Sequence, residues 1–142
     1  MVNNVIQSSN CFVCGRDNPR GLNLPFVFND DNVTAEFTPS KDLCGFENVV
    51  HGGILFSLAD EAMMHLIHGN NVKAITSEIT IRMKRFAPVG EKIIIRAYNL
   101  DCGKHLVTCK AELRNSDDVL LCRATGKFLY YDENQPFRKS GL

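Results

Sequence analysis

One stretch of this chain changes period, and that change constrains the fold more than any other feature. From Ile54 the apolar positions run Ile54, Leu55, Leu58, Ala59, Ala62, Met63, Leu66 and Ile67, at steps of three and four. That spacing predicts an amphipathic helix of about four turns, which Gly69-Asn70-Asn71 stops. Elsewhere the period is two. Leu22–Phe28 and Val33–Phe37 read as a hairpin across the turn Asn29–Asn32, with Pro25 placing the first strand at its start or near an edge. Residues 39–50, with Pro39, Ser40, Asp42 and Gly45, read as a loop. After the helix, strands are expected over 75–84, 92–100, 105–114 and 119–131, separated by turn clusters at 88–91, 101–104 and 115–118. Residues 1–20 form a lead-in and 132–142 a polar tail.

A single helix cannot supply the crossovers that a parallel sheet requires. The expected class is therefore α+β, a curved antiparallel sheet of about six strands with the helix packed against it, in which the long strand 92–100 or 119–131 would leave an open edge unless subunits pair. The 142 residues suit one domain spanning 1–142. Sixteen basic and sixteen acidic residues cancel, so no charge bias points to nucleic acid or an anionic membrane. The N-terminus lacks the charged and apolar regions of a signal peptide, and no window is apolar enough to span a bilayer, so the expected location is the cytoplasm.

That location favours reduced thiols for the six cysteines. Cys109 and Cys122 fall within alternating strands, where Cys is an ordinary small buried residue. Cys11 and Cys14 form a CxxC, but a structural zinc site usually needs a second ligand pair at similar spacing. With none in the chain, packing of a turn is the expected role. Glu61, His65 and His68 share a helix face in a pattern unlike the HExxH of metalloproteases, and histidines there suit the C-terminal dipole. No metal and no organic cofactor is expected.

Val50-His51-Gly52-Gly53 runs directly into the helix. Glycines there allow close approach to bare N–H groups, or simply close packing of helix on sheet. A helix start carries unpaired amides and partial positive charge, suited to an oxygen that becomes negative. Asp60 lies two turns on, on a stripe with Ser57 and Met64, while Leu58, Ala62 and Leu66 face the sheet. Its setting beside apolar residues would desolvate the carboxylate and strengthen it as a base. Spacing alone does not choose between Asp60 and Glu61.

The run His51-Gly52-Gly53-Ile54-Leu55-Phe56-Ser57-Leu58-Ala59-Asp60-Glu61-Ala62 resembles the signature of hotdog-fold thioesterases of the phenylacetyl-CoA and 4-hydroxybenzoyl-CoA type. Cys11-Phe12-Val13-Cys14-Gly15, Asn18-Pro19, Gly21-Leu22 and Arg85-Phe86-Ala87-Pro88-Val89-Gly90-Glu91 also resemble stretches found in these proteins. The resemblance implies a sheet wrapped around the helix, and subunits paired as a homodimer or dimer of dimers with sites at the interface. It implies hydrolysis of a small or medium acyl-CoA, with the Gly52 amide polarising the carbonyl beside His51 and Asp60 acting as nucleophile or general base. Gly53 and Glu61 belong to the implied substrate site. A helper Asn of some relatives falls on Gly45, with Asn48 out of register, and a partner-subunit hydroxyl falls on Thr76 or Ser77. Arg82, Lys84 and Arg85 are candidates for the phosphates of coenzyme A, with Arg82 and Lys84 on one strand face. Rival readings are a dehydratase on the same fold, a non-catalytic acyl-CoA sensor, and an acyl carrier protein substrate.

Overall fold

The structure is a computed structural model that describes residues 8–131; the polar tail and the first seven lead-in residues lie outside that range. The elements are β1 (Val27–Asn29), β2 (Asn32–Phe37), α1 (Gly52–Gly69), β3 (Ala74–Met83), β4 (Ile93–Cys102), β5 (Leu106–Asn115) and β6 (Leu120–Tyr130), with one 3-10 turn at Lys41–Leu43. The strands form a single sheet in the order β1-β2-β4-β5-β6-β3, with every pairing antiparallel. Helix α1 touches all six. Six strands at about 4.8 Å spacing span roughly 24 Å, whereas a helix with its side chains is only about 10–12 Å across. Contact with every strand therefore requires the sheet to curl around the helix.

The helix lies where its period places it, and its buried residues are Leu55, Leu58, Ala59, Ala62, Met63, Leu66 and Ile67. Each larger side chain among them stabilises by about 1.5–3 kcal/mol on burial. They pack on Val33, Ile93, Ile95, Val107, Leu113, Cys122 and Phe128, all at or near zero exposure. No polar or charged residue among those described is fully buried. The opposite sheet face carries Arg96, Lys110, Arg123 and Lys127 outward.

Two expectations need correction. The first hairpin strand is short, because Pro25 has no amide to donate and Asn23 adopts a left-handed φ of 49°. Leu22 and Leu24 instead donate to Phe12 O and Val13 O of the lead-in, at 2.7 and 2.9 Å. The strands expected to leave an open edge, 92–100 and 119–131, are interior: β4 lies between β2 and β5, and β6 between β5 and β3. Among the described residues the edges of the sheet are β1 and β3. Strand β3 leaves the helix, bypasses β4 and pairs with the last strand instead.

Gly126 shows how tightly the layers meet. A Cβ there would lie 2.6 Å from the Phe128 ring and 3.1 Å from Met63 Sδ, and both neighbours are fully buried. Gly126→Ala should cost about 1–3 kcal/mol through overpacking, read as a lower urea midpoint at unchanged slope. An equal or higher midpoint would mean that the layers yield more easily than this packing implies.

Candidate active site

The helix start is built around His51. Its backbone is extended (φ −58°, ψ 133°) and its side chain caps the helix, Nδ1 accepting from Gly53 N–H at 2.8 Å. Accepting there leaves Nδ1 without a proton. The residue is pinned by its own amide donating to Leu43 O at 2.9 Å, while the neighbouring Val50 N–H donates to Ala87 O at 2.9 Å. Gly45 lies beneath it, where a Cβ would come 3.3 Å from His51 Cα. Gly53 must lack a side chain, since a Cβ would stand 2.9 Å from the capping nitrogen. Gly53 N–H is thus taken, whereas Gly52 N–H has no partner among the described residues. It is the first amide of an eighteen-residue helix, bare and at the positive end of the dipole.

Beside Gly52 lies Met83, whose Cε would sit 3.6 Å from a Gly52 Cβ. Met83, Lys84, Arg85 and Phe86 line a cleft of about 430 Å³. The expected basic cluster is divided by the end of β3. Arg82 is paired with Arg123 on the outer sheet face, opposite Met83. Lys84 and Arg85 both donate their amides to Leu121 O, at 2.7 and 3.1 Å, which breaks the alternation after Met83. The structure therefore brings Lys84 and Arg85 to the cleft and leaves Arg82 on the outer face.

Two turns along, Asp60 Oδ1 accepts from Thr76 Oγ1 at 2.7 Å, and the same hydroxyl lies 3.5 Å from Met64 Sδ. Burial raises the Asp60 carboxyl above its ordinary 3.8; the Thr76 hydrogen bond partly offsets this and the Glu61 charge adds to it. Thr76, one of the two hydroxyls expected to serve a partner subunit's site, donates here to Asp60 of its own chain. Its register was hard to read because β3 carries a bulge between Thr76 and Glu78. Ile79, Ile81 and Met83 face the helix at odd positions; the extra residue reverses parity, so even-numbered Thr76 also faces it. Ser77 is the bulged residue and makes no ladder pair.

Glu61 is turned elsewhere. Its Oε1 lies 3.2 Å from Cys14 Sγ, 3.5 Å from Cys11 Sγ and 3.3 Å from His65 Nε2. Burial pushes its carboxyl up, but His65 and the two thiols outweigh this and hold it below the ordinary value. His68 does not join them, its Nε2 lying 3.1 Å from Ala74 O. Asn48, in a left-handed conformation (φ 61°), offers its carbonyl to Val89 N–H at 3.0 Å.

A curled antiparallel sheet around one helix is the hotdog architecture, and here it carries a bare amide at the helix start and a desolvated acid two turns on. The thioesterase superfamily model matches residues 47–122, and the chain belongs to that superfamily. A protein of Archaeoglobus fulgidus, provisionally named an esterase, is 32% identical over 101 residues, which is 71% of this chain and 66% of that protein. The chain therefore spans just under two thirds of that relative's length. The PaaI protein from the phenylacetic acid degradation operon of E. coli has the same fold, with TM-score 0.71 and 24% identity over 76% of this chain and 83% of that one. So has smu.793 of Streptococcus mutans UA159, solved bound to acetyl CoA, with TM-score 0.72 and 16% identity over 76% of this chain and 88% of that one. No helix among the described residues is long and apolar enough to cross a membrane.

Because the fold raises the Asp60 carboxyl, its contribution to stability is present below 3.8 and lost as pH rises through the folded value. Carbon-13 NMR of that carboxyl should give a midpoint above 3.8. Thr76→Val removes a hydrogen bond that favours the ionised form and should move the midpoint further up. An unchanged midpoint in the variant would show that Thr76 does not tune the acid.

Proposed function

We propose that the chain hydrolyses the thioester of a small or medium acyl-CoA, giving a carboxylic acid and free coenzyme A. The observation that carries this reading is the unpaired Gly52 N–H at the helix start, left bare because His51 takes its neighbour. A thioester oxygen placed there gains negative charge as the carbonyl is attacked, and a fixed donor at the positive end of a helix favours that state. Asp60 supplies the other half of the chemistry. It either attacks the carbonyl, forming a mixed anhydride that water opens, or deprotonates a water that attacks. The sulfur leaves with the bonding pair and is protonated to the free thiol. Lys84 and Arg85, in the cleft beside Gly52, suit the phosphates of coenzyme A, in keeping with the acetyl CoA held by the Streptococcus mutans neighbour.

The helix also acts as a ruler. Gly52 and Asp60 are eight residues apart, about 12 Å along an α-helix, and the lean of a side chain toward the N-terminus shortens this by only a few ångströms. One carbonyl must lie about 3 Å from both donor and attacking group. A single chain does not meet that condition, so a second copy supplies the missing half, Gly52 of one subunit facing Asp60 of the other. The ten-residue strand β3, an edge of the sheet among the described residues, and the exposed Met83 and Phe86 of the cleft support pairing of copies as a dimer or dimer of dimers.

Free-thiol release from a panel of aliphatic and aromatic acyl-CoAs tests the chemistry. Asp60→Asn keeps an acceptor for Thr76 and should lower turnover by about a hundredfold or more. Gly52→Pro removes the bare N–H at the one helical position that tolerates proline, and the extended His51 suits a following proline. It should fold and lose on the order of a hundredfold to a thousandfold. Wild-type rates in both variants would remove this site from the reaction, and tight acyl-CoA binding without release would indicate a sensor. Co-expressing the two variants tests the shared site. If Gly52 and Asp60 meet across subunits, random pairing restores about a quarter of wild-type activity, because each mixed dimer regains one intact site. No recovery would place both groups in one chain.

A further inference from the structure

The cysteine pair of the lead-in has a use beyond the reaction. Cys11 and Cys14 lie fifty and forty-seven residues from Glu61 in sequence, yet both sulfurs converge on one oxygen of that carboxylate, at 3.5 and 3.2 Å. His65, one turn further along α1, places Nε2 3.3 Å from the same oxygen. That nitrogen is close but misaligned: it is shut off from solvent and makes no well-directed hydrogen bond. Thiols are weak donors, so a mostly buried carboxylate is left here with poor hydrogen-bonding company, and an imidazole nitrogen with none.

The spacing suits a different occupant. Tetrahedral zinc, with bonds of about 2.0–2.3 Å to nitrogen, oxygen and sulfur, sets its ligand atoms about 3.3–3.8 Å from one another. The Glu61 oxygen lies 3.2 and 3.5 Å from the two sulfurs, and these three atoms all lie within 4.8 Å of one another, a group that His65 does not join although its Nε2 is 3.3 Å from the same oxygen. The turn that presents the sulfurs is preset. Cys14 N–H points to Cys11 Sγ at 3.4 Å and Gly15 N–H donates to Cys11 O at 2.9 Å. A Cβ at Gly15 would strike backbone atoms at 2.4–2.6 Å, so only glycine closes this turn. The His65 ring is held by Phe26, stacked at 4.5 Å, and a cleft of about 560 Å³ reaches both Cys14 and His65 from outside. The further ligand that the CxxC lacked in the sequence is Glu61 of the helix.

We propose that Cys11, Cys14 and Glu61 form a site for a divalent metal of the zinc type, with His65 beside it. Two thiolates and a carboxylate match the softness zinc accepts. Three protein ligands leave a fourth tetrahedral position, beside which His65 Nε2 stands 3.3 Å from the Glu61 oxygen. Binding releases the two thiol protons to solvent. The ion ties the lead-in to α1 one residue from Asp60, and so fixes the ground on which that acid stands.

The test uses the full chain, reduced and freed of metal, titrated with cobalt(II). About one equivalent should bind, with the visible bands of tetrahedral cobalt and a near-ultraviolet thiolate charge-transfer band that zinc then abolishes. Protein purified from zinc-supplemented medium should carry about one zinc per chain by elemental analysis, and Cys14→Ser close to none. Glu61→Ala should weaken cobalt binding by on the order of a hundredfold, whereas Cys44→Ser, at an exposed thiol outside the cluster, should leave it unchanged. Wild-type protein that gives neither a cobalt spectrum nor bound zinc overturns the proposal, without reliance on any variant. So does a cobalt spectrum that survives in Cys14→Ser.

Discussion

The burial of one face of α1 in a curled sheet is the constraint on which everything else rests. Leu55, Leu58, Ala62, Met63, Leu66 and Ile67 fix the rotation of the helix about its axis, and rotation decides what every other residue on it can meet. Residues one apart on a helix point about 100° from each other. Asp60 and Glu61 are therefore sent to different neighbours by the same packing: Asp60 to the Thr76 hydroxyl and Met64, Glu61 to the cysteines of the lead-in. Both carboxylates lose water, and they respond oppositely. Asp60 has one hydroxyl to set against its desolvation and is raised; Glu61 has two thiols and an imidazole nearby and is lowered. The first environment suits the base proposed at Asp60 and the second the metal ligand proposed at Glu61.

The helix start follows from the same placement. Packing holds α1 so that its first turn lies against the loop at 43–45 and the strand end at Met83. A side-chain cap on Gly53 N–H is a stabilising device at a helix N-terminus. Here it has a chemical consequence, because satisfying one amide defines which one is left. Gly53 is then explained by the His51 ring that needs its space, and Gly52 by an approach that must stay open.

Much of this was legible in the sequence. The helix and the four strands after it follow from periodicity, since the buried stripe of α1 and the alternation of β4 to β6 leave few alternatives. What resisted reading has identifiable causes. The short β1 reflects pairing of Leu22 and Leu24 with the lead-in, a contact between segments of no regular period. The free edges were misjudged because strand order is a long-range property: β3 pairs with β6, some fifty residues on. The parity of Thr76 was hidden by a bulge, and a one-residue bulge inverts every inference from alternation. The gathering of Cys11 and Cys14 on Glu61 depends on where the lead-in crosses the helix, which no local pattern records.

The places where local rules are broken without a packing return are also where the chemistry gathers. Gly52 at the helix start gives up helix propensity, by less than the roughly 1 kcal/mol that an interior glycine costs. Asp60 gives up solvation for one hydrogen bond. A chain selected for stability alone would place Ala or Glu at Gly52, where 3.6 Å of clearance to Met83 would admit a methyl group, and would set an apolar residue at position 60 beside Met64. Gly53, Gly45, Gly15 and Gly126 are different, each hemmed in by neighbouring atoms at 2.4–3.3 Å, so their lack of a side chain is explained by packing. Sorting the glycines by what a methyl group would strike therefore separates structural need from chemical need. It leaves Gly52 as the one at the helix start whose bareness the fold does not require.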